Sequence, residues 1–240
     1  MITPSKAHWI DKCLYALRDD VPRKPEGTVH PRATLGTLVH RMVHSAVIFG
    51  SGEPPAVDDP EAMGMARNAL KWIWAQEATW SIVVCEAGFL YDARTDAGHL
   101  GPSRGEPGYD TAPSGCTRGT WDIVLRRKDA AKQLRAIDIK TGKYENAHPE
   151  QLRMQGVAAS RVLGSGIVEV AFLFVRKTKS ELRHEDVMFA DELDAEAGRL
   201  YSAARRLPMA KPTPGDHCYR CDIGRDFCPA WGFSEEQGAA

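Results

Sequence analysis

The spacing of apolar residues changes period near Trp80, and that change limits what this chain can become. From Pro4 to about Arg18, from Leu35 to Val47 and from Pro60 to Trp80 the apolar residues recur at helical intervals. Trp9, Ile10, Leu14 and Leu17 form the first stripe, and Leu35, Leu38, Val39, Met42, Val43 and Ala46 the second. Beyond Trp80 the segments Ile82 to Tyr91, Thr120 to Leu125 and Leu134 to Ile139 read as strands. Pro149 then stands where a helix begins, and apolar residues continue to Leu163 before Gly164 and Gly166 stop it. Val168 to Arg176 is a strongly apolar strand, Val187 to Ala190 a weaker one, and Asp191 to Arg206 a last helix. That order predicts an α/β fold with a central mixed sheet flanked by helices. The Gly-, Pro- and Ser-rich stretch between Asp92 and Arg118 buries little and reads as a long loop.

A chain of 240 residues, 43% hydrophobic and 26% charged, is large enough for one substantial core. The opening Met1-Ile-Thr-Pro-Ser-Lys6 lacks the apolar stretch of a secretion signal, and the run Val170 to Val175 is too short to cross a membrane, so no membrane partner and a cytoplasmic location are expected. In that reducing setting six cysteines are expected as thiols or metal ligands rather than disulfides. A net charge of −1 carries no global sign of nucleic-acid binding. Locally, residues 118 to 143 hold eight cations (Arg118, Arg126, Arg127, Lys128, Lys132, Arg135, Lys140, Lys143) against Asp122, Asp129 and Asp138. Such a segment suits a phosphate backbone, and suits equally a solvated strand face with a basic turn.

Two acids stand out. Asp122 lies in Gly119-Thr-Trp-Asp122, and Asp138 in Ala136-Ile-Asp-Ile-Lys-Thr-Gly142, inside an apolar run where an unpaired carboxylate is costly. Asp138 and Lys140 are two apart on a strand, so they share one face. Two carboxylates can hold a divalent metal, and an ammonium beside them can order a water, a combination suited to phosphodiester hydrolysis. Taken alone, an Asp-x-Lys triplet is also an ordinary strand end. Gln151 and Gln155 lie one helical turn apart, as do His40 and His44, and each pair has a plain reading as solvated or core residues. Cys218-Tyr-Arg-Cys221, with Cys228 beyond, has the spacing of metal ligands. A fourth ligand is needed, either His217 for zinc or Cys13 for a cluster joining both ends of the chain. Cys85 and Cys116 have no such company.

Together these segments resemble the PD-(D/E)xK nuclease superfamily, in its RecB-like branch, which includes CRISPR-associated adaptation exonucleases and AddB-type nuclease domains. The features that carry the resemblance are Gly36-Thr-Leu-Val-His40, Gly119 to Asp122, Asp138-Ile-Lys140 and the helix from Gln151, with Cys13 and the three late cysteines. They run in the family's order from about residue 3 to 230. Gln155 stands where the family often has Tyr, and the last cysteine gap is one residue longer than usual. Glu86 falls where relatives often carry a strand Glu.

The resemblance implies a restriction-endonuclease-like core in which His40, Asp122, Asp138 and the Ile139 carbonyl hold Mg²⁺ or Mn²⁺. It implies that Lys140 positions the attacking water or stabilises the phosphate, and that Gln151 orients Lys140 or the scissile strand. Cys13, Cys218, Cys221 and Cys228 would bind a structural [4Fe–4S] cluster, with zinc as the alternative. The implied reaction is DNA hydrolysis from the ends of single strands, with a helicase or integrase as partner. The expected organisation is an N-terminal helix and linker over 1–32, a nuclease core over 33–207, a cysteine segment over 208–230 and a tail over 231–240. Competing readings are an inactive nuclease-like module that grips DNA or a partner, and a zinc protein whose Asp-x-Lys is accidental.

Overall fold

A computed structural model describes residues 2–18, 20–21, 31–103, 106–109, 116–142, 147–221, 223 and 228–229; Lys143 and the 231–240 tail lie outside them. Two helices precede the sheet. α1 (Pro31–Ile48) buries Val39, Met42, Val43 and Ala46 along one stripe. α2 (Pro60–Ala75) begins where the Asp59 carboxylate accepts the Glu61 and Ala62 amides, both at 2.9 Å. It ends at Ala75 instead of Trp80, because Trp80 pairs with Arg127 and opens the first strand.

Six strands, β1 (Trp80–Asp92), β2 (Ala97–Gly101), β3 (Cys116–Arg127), β4 (Gln133–Lys140), β5 (Ile167–Val175) and β6 (Ser180–Phe189), form one sheet in the order β2-β1-β3-β4-β5-β6. β4 and β5 are parallel, joined by the crossover helix α3 (Pro149–Leu163), and the other neighbours are antiparallel. The sheet is mixed, as expected. α1 and α2 cover one face, over Ile123, Leu125, Ile137, Ile139 and Leu173. α3, α4 (Ala190–Arg206) and the N-terminal segment cover the other, around Trp121, Val124, Ala136, Phe172 and Phe174. Fully burying side chains of this size contributes about 1.5–3 kcal/mol each, so the two cores fix the sheet from both sides.

Three local expectations need correction. The stripe from Pro4 to Arg18 is two short 3₁₀ turns, Pro4–Trp9 and Leu14–Leu17, with Cys13 extended between them (φ −159°, ψ 95°). Its apolar residues still enter the core, because the segment lies against α3. The long loop after Asp92 carries β2 as a hairpin on β1, and Cys116 to Arg118 already belong to β3. The weak strand at Val187 is ten residues long, from Ser180 to Phe189.

Candidate metal centre

β1 and β3 both change face at an acid. Trp121 and Ile123 are two apart yet pack into opposite cores, so β3 rotates at Asp122. Val84 and Ala87 are three apart yet share a core, so β1 rotates at Glu86. Glu86 has φ +49°, a left-handed conformation that costs a non-glycine residue on the order of 1–3 kcal/mol and persists where its surroundings impose it. Here Ser103 does so. Its hydroxyl donates to the Glu86 carbonyl at 2.8 Å and accepts the Gly88 amide at 3.1 Å.

The β3–β4 pairing reaches Ile123 opposite Ile137, and beyond it a side chain takes over. The Ile139 amide donates to Asp122 Oδ2 at 2.5 Å, and the Ile139 carbonyl meets His40 Nε2 at 3.1 Å. One residue of β4 therefore holds both an acid of β3 and the histidine of α1. His40 Nδ1 faces Glu86 Oε1 at 2.8 Å and Asp122 Oδ1 at 3.2 Å. His40, Glu86 and Asp122 each offer a ligand atom, and these atoms lie within 4.8 Å of one another. The glycines of the two motifs each stand where a side chain would not fit. A Cβ on Gly36 would stand 2.9 Å from Thr141 Oγ1 at the end of β4, and one on Gly119 would stand 2.6 Å from the Phe89 ring and 2.7 Å from Pro4.

Asp138 sits beside this group, in a second one. Its Oδ1 accepts the Gln151 amide at 2.5 Å and the Gln155 amide at 3.1 Å. Lys140 Nζ lies 2.6 Å from Oδ2 and donates to Gln151 Oε1 at 3.1 Å. The Lys140 contact neutralises Oδ2 by proximity; no hydrogen bond of good angle reaches that buried oxygen among the described residues. Both glutamines are buried, so neither is the solvated residue that the sequence allowed. Gln155, where the resemblance has Tyr, is a second amide on the same carboxylate oxygen.

The charges decide what the site can bind. Burial opposes a charge on His40, but Asp122 and Glu86 outweigh it and raise the imidazole well above its usual value. With Nε2–H on the Ile139 carbonyl and Nδ1–H between two carboxylates, the ring is an imidazolium. Burial raises the Asp138 carboxyl above the usual range; Lys140 pulls it back, and the nearby charge of Asp122 pushes it up further. Once the His40 proton leaves, three carboxylates face one ammonium in a largely buried space. A divalent cation fits that deficit, and Asp138 Oδ2, which lacks a hydrogen bond among the described residues, is a further oxygen for it.

Asp122, His40 and the Ile139 backbone thus meet as one group, and Asp138, Lys140 and Gln151 as its neighbour. Glu86, which the resemblance alone had marked, enters the tight group with His40 and Asp122. His44 is half-buried outside that group. Most of the basic segment is engaged structurally: Arg127 pairs with Asp129, Arg135 with Glu169, and Arg126 donates to the Ala131 and Leu163 carbonyls. At the chain ends, the Thr213 amide donates to Cys13 Sγ at 3.5 Å while the thiol of Cys218 points to the Thr213 carbonyl at 4.0 Å. Cys221 is buried in the same core as Cys13, and Cys228 packs against it.

A comparison with curated proteins gives no match. The family model of the PD-(D/E)XK nuclease superfamily matches residues 6–229. With nearly the whole sequence matched and the acids, lysine and glutamine of its motifs gathered at one end of a mixed sheet, the chain belongs to the PD-(D/E)XK nuclease superfamily.

Proposed function

We propose that this protein is a divalent-metal-dependent deoxyribonuclease of RecB-like type, acting from the ends of single strands. The observation that carries the reading is the convergence of His40, Glu86 and Asp122 beside the Asp138–Lys140 pair, in a member of a nuclease family. His40, Glu86 and Asp122 would hold Mg²⁺ or Mn²⁺, with Asp138 and the second lone pair of the Ile139 carbonyl as further ligands; the imidazole favours Mn²⁺. A cation bound there supplies Lewis acidity toward a phosphate oxygen and a more acidic water. Lys140 orients the attacking water or offsets charge on the phosphoryl oxygens as they become more negative. Gln151 and Gln155 fix the rotamer of Asp138, and Gln151 also orients the Lys140 ammonium.

Cys13, Cys218, Cys221 and Cys228 form, in this reading, the ligand set of a structural [4Fe–4S] cluster, with zinc held by His217 and the late cysteines as the alternative. The meeting of Cys13 and Cys218 at Thr213 supports it. A cytoplasmic enzyme working beside a helicase or integrase is the setting this implies. The test is incubation of end-labelled single- and double-stranded DNA with Mn²⁺. Single strands shortening progressively from one end are expected, and DNA left intact in both Mn²⁺ and Mg²⁺ would overturn the reading.

A further inference from the structure

A cavity of about 690 Å³ opens between the N-terminal segment and the end of α4. Lys12, Arg205, Arg206 and Lys211 line it, all exposed, and Cys13 and Thr213 place it beside the proposed cluster ligands. Asp11 is the one acid among its described lining residues, and it already pairs with Arg199 at 2.8 Å. Elsewhere on this surface cations meet acids, as Arg67 does Glu53 and Arg94 does Asp92. Four cations on a concave wall, without matching carboxylates among the described residues, call for an anion from outside. Tyr201, 39% exposed, lines the same wall with the Arg205 guanidinium over its ring at 5.7 Å, which adds an aromatic surface to the positive one.

Between the cavity and the metal centre lies a pair of stacked imidazoles. His148, three residues before Gln151, stacks on His8 with ring centroids 4.0 Å apart and planes 18° apart. Lys12 lies within electrostatic reach of both rings and Lys140 within reach of His148, while Glu150 is the acid facing the pair. The field of Lys140 from the metal centre and that of Lys12 from the cavity wall thus meet at His148, on the ring that His8 of the N-terminal segment stacks against.

We infer that this cavity holds the phosphates of a single nucleic-acid strand whose end lies in the metal centre, with Tyr201 stacking on a base. The inference rests on the nuclease reading and adds the path of the substrate. Aromatic faces set in a basic groove bind single strands without reading their sequence.

The test is fluorescence anisotropy of labelled oligothymidylate with the whole protein in EDTA, across a range of KCl concentrations. Each of Lys12→Gln, Arg205→Gln and Lys211→Gln should reduce the slope of log affinity against log salt by about 0.7, the value for one phosphate contact on a single strand. Tyr201→Ser should weaken binding on the order of tenfold at an unchanged slope. Arg67→Gln, on the opposite face of the sheet, should leave the slope alone. A triple cavity variant with the full wild-type slope would place the strand elsewhere and overturn the inference, leaving the nuclease reading intact. Loss of binding to an acidic peptide, with oligothymidylate unaffected, would overturn it in favour of a protein-docking site. A cavity-dependent slope in a protein that cuts nothing in Mn²⁺ would uphold the strand site and overturn the nuclease reading.

Discussion

His40 is where a proton and a metal ion compete. The imidazolium between Glu86 and Asp122 supplies positive charge that a divalent cation would bring instead. Because its folded-state value is raised, its stabilising contribution is fully present below the ordinary imidazole value of about 6.5 and is lost as pH rises through the raised one. Metal binding should therefore release a proton, and Mn²⁺ affinity should rise with pH and level off once the raised imidazole value is passed. Calorimetry of Mn²⁺ binding in two buffers of different ionisation enthalpy should report close to one proton released; equal heats in both would contradict the arrangement. Asp138 has the same sign, with burial as the cause. Its folded-state value is raised, so the carboxyl contributes stability below the ordinary carboxylate range and loses it as pH rises through the raised value. Asp138→Asn should melt higher than wild type at neutral pH, and the gain should vanish below about pH 4. A variant that melts lower at neutral pH would show that the Lys140 pair outweighs desolvation.

At the scale of elements, what the sequence revealed depended on how much of each element touches the core. α1, α2 and α3 were readable because their apolar stripes are buried, and β4 and β5 because both faces are. β2 and β6 are the two edges of the sheet. In β6, Met188 alone among ten residues is buried, so no alternation marks the strand. Gln151 and Gln155 look solvated in sequence but lie on a helix buried on nearly every side; the run Gly156-Val-Ala-Ala-Ser160, with no charged residue, was the available sign. Glu86 was a site candidate through the resemblance alone, because its position depends on a left-handed turn held by Ser103 that no local pattern announces. Gly119 is a case where a motif residue has a packing role. Gly119→Ala must displace the Phe89 ring or Pro4 and should cost about 1–3 kcal/mol, a drop of several degrees in melting temperature; an unchanged melt would show that the N-terminal segment yields freely.

At the scale of the molecule, the N-terminal segment meets residues 199–217 beside α3. Asp11 pairs with Arg199, Arg18 donates to the Ala210 carbonyl, and Trp9 meets His217 edge-on at 5.6 Å. A cluster ligated by Cys13 and the late cysteines would close a loop of some two hundred residues, and cross-links closing ~100-residue loops carry about 4.7 kcal/mol in chain-entropy terms. Anaerobically purified protein should be brown, and Cys13→Ser should bleach it and lower its melting temperature, whereas Cys85→Ser should keep the colour. Stoichiometric zinc without iron, with Cys13→Ser indifferent, would assign a local zinc site.

The central claim is that the group built on Asp122 binds the cation that drives phosphodiester cleavage. Asp122 accepts the Ile139 amide and faces His40, so replacing its charge while keeping its shape touches both metal capture and the β3–β4 junction. The direct measurement is the rate of Mn²⁺-dependent cleavage of end-labelled single-stranded DNA by Asp122→Asn beside wild type, with folding checked by thermal melting. Cleavage by the folded variant reduced at least a hundredfold is the expected result; cleavage at the wild-type rate would contradict the account.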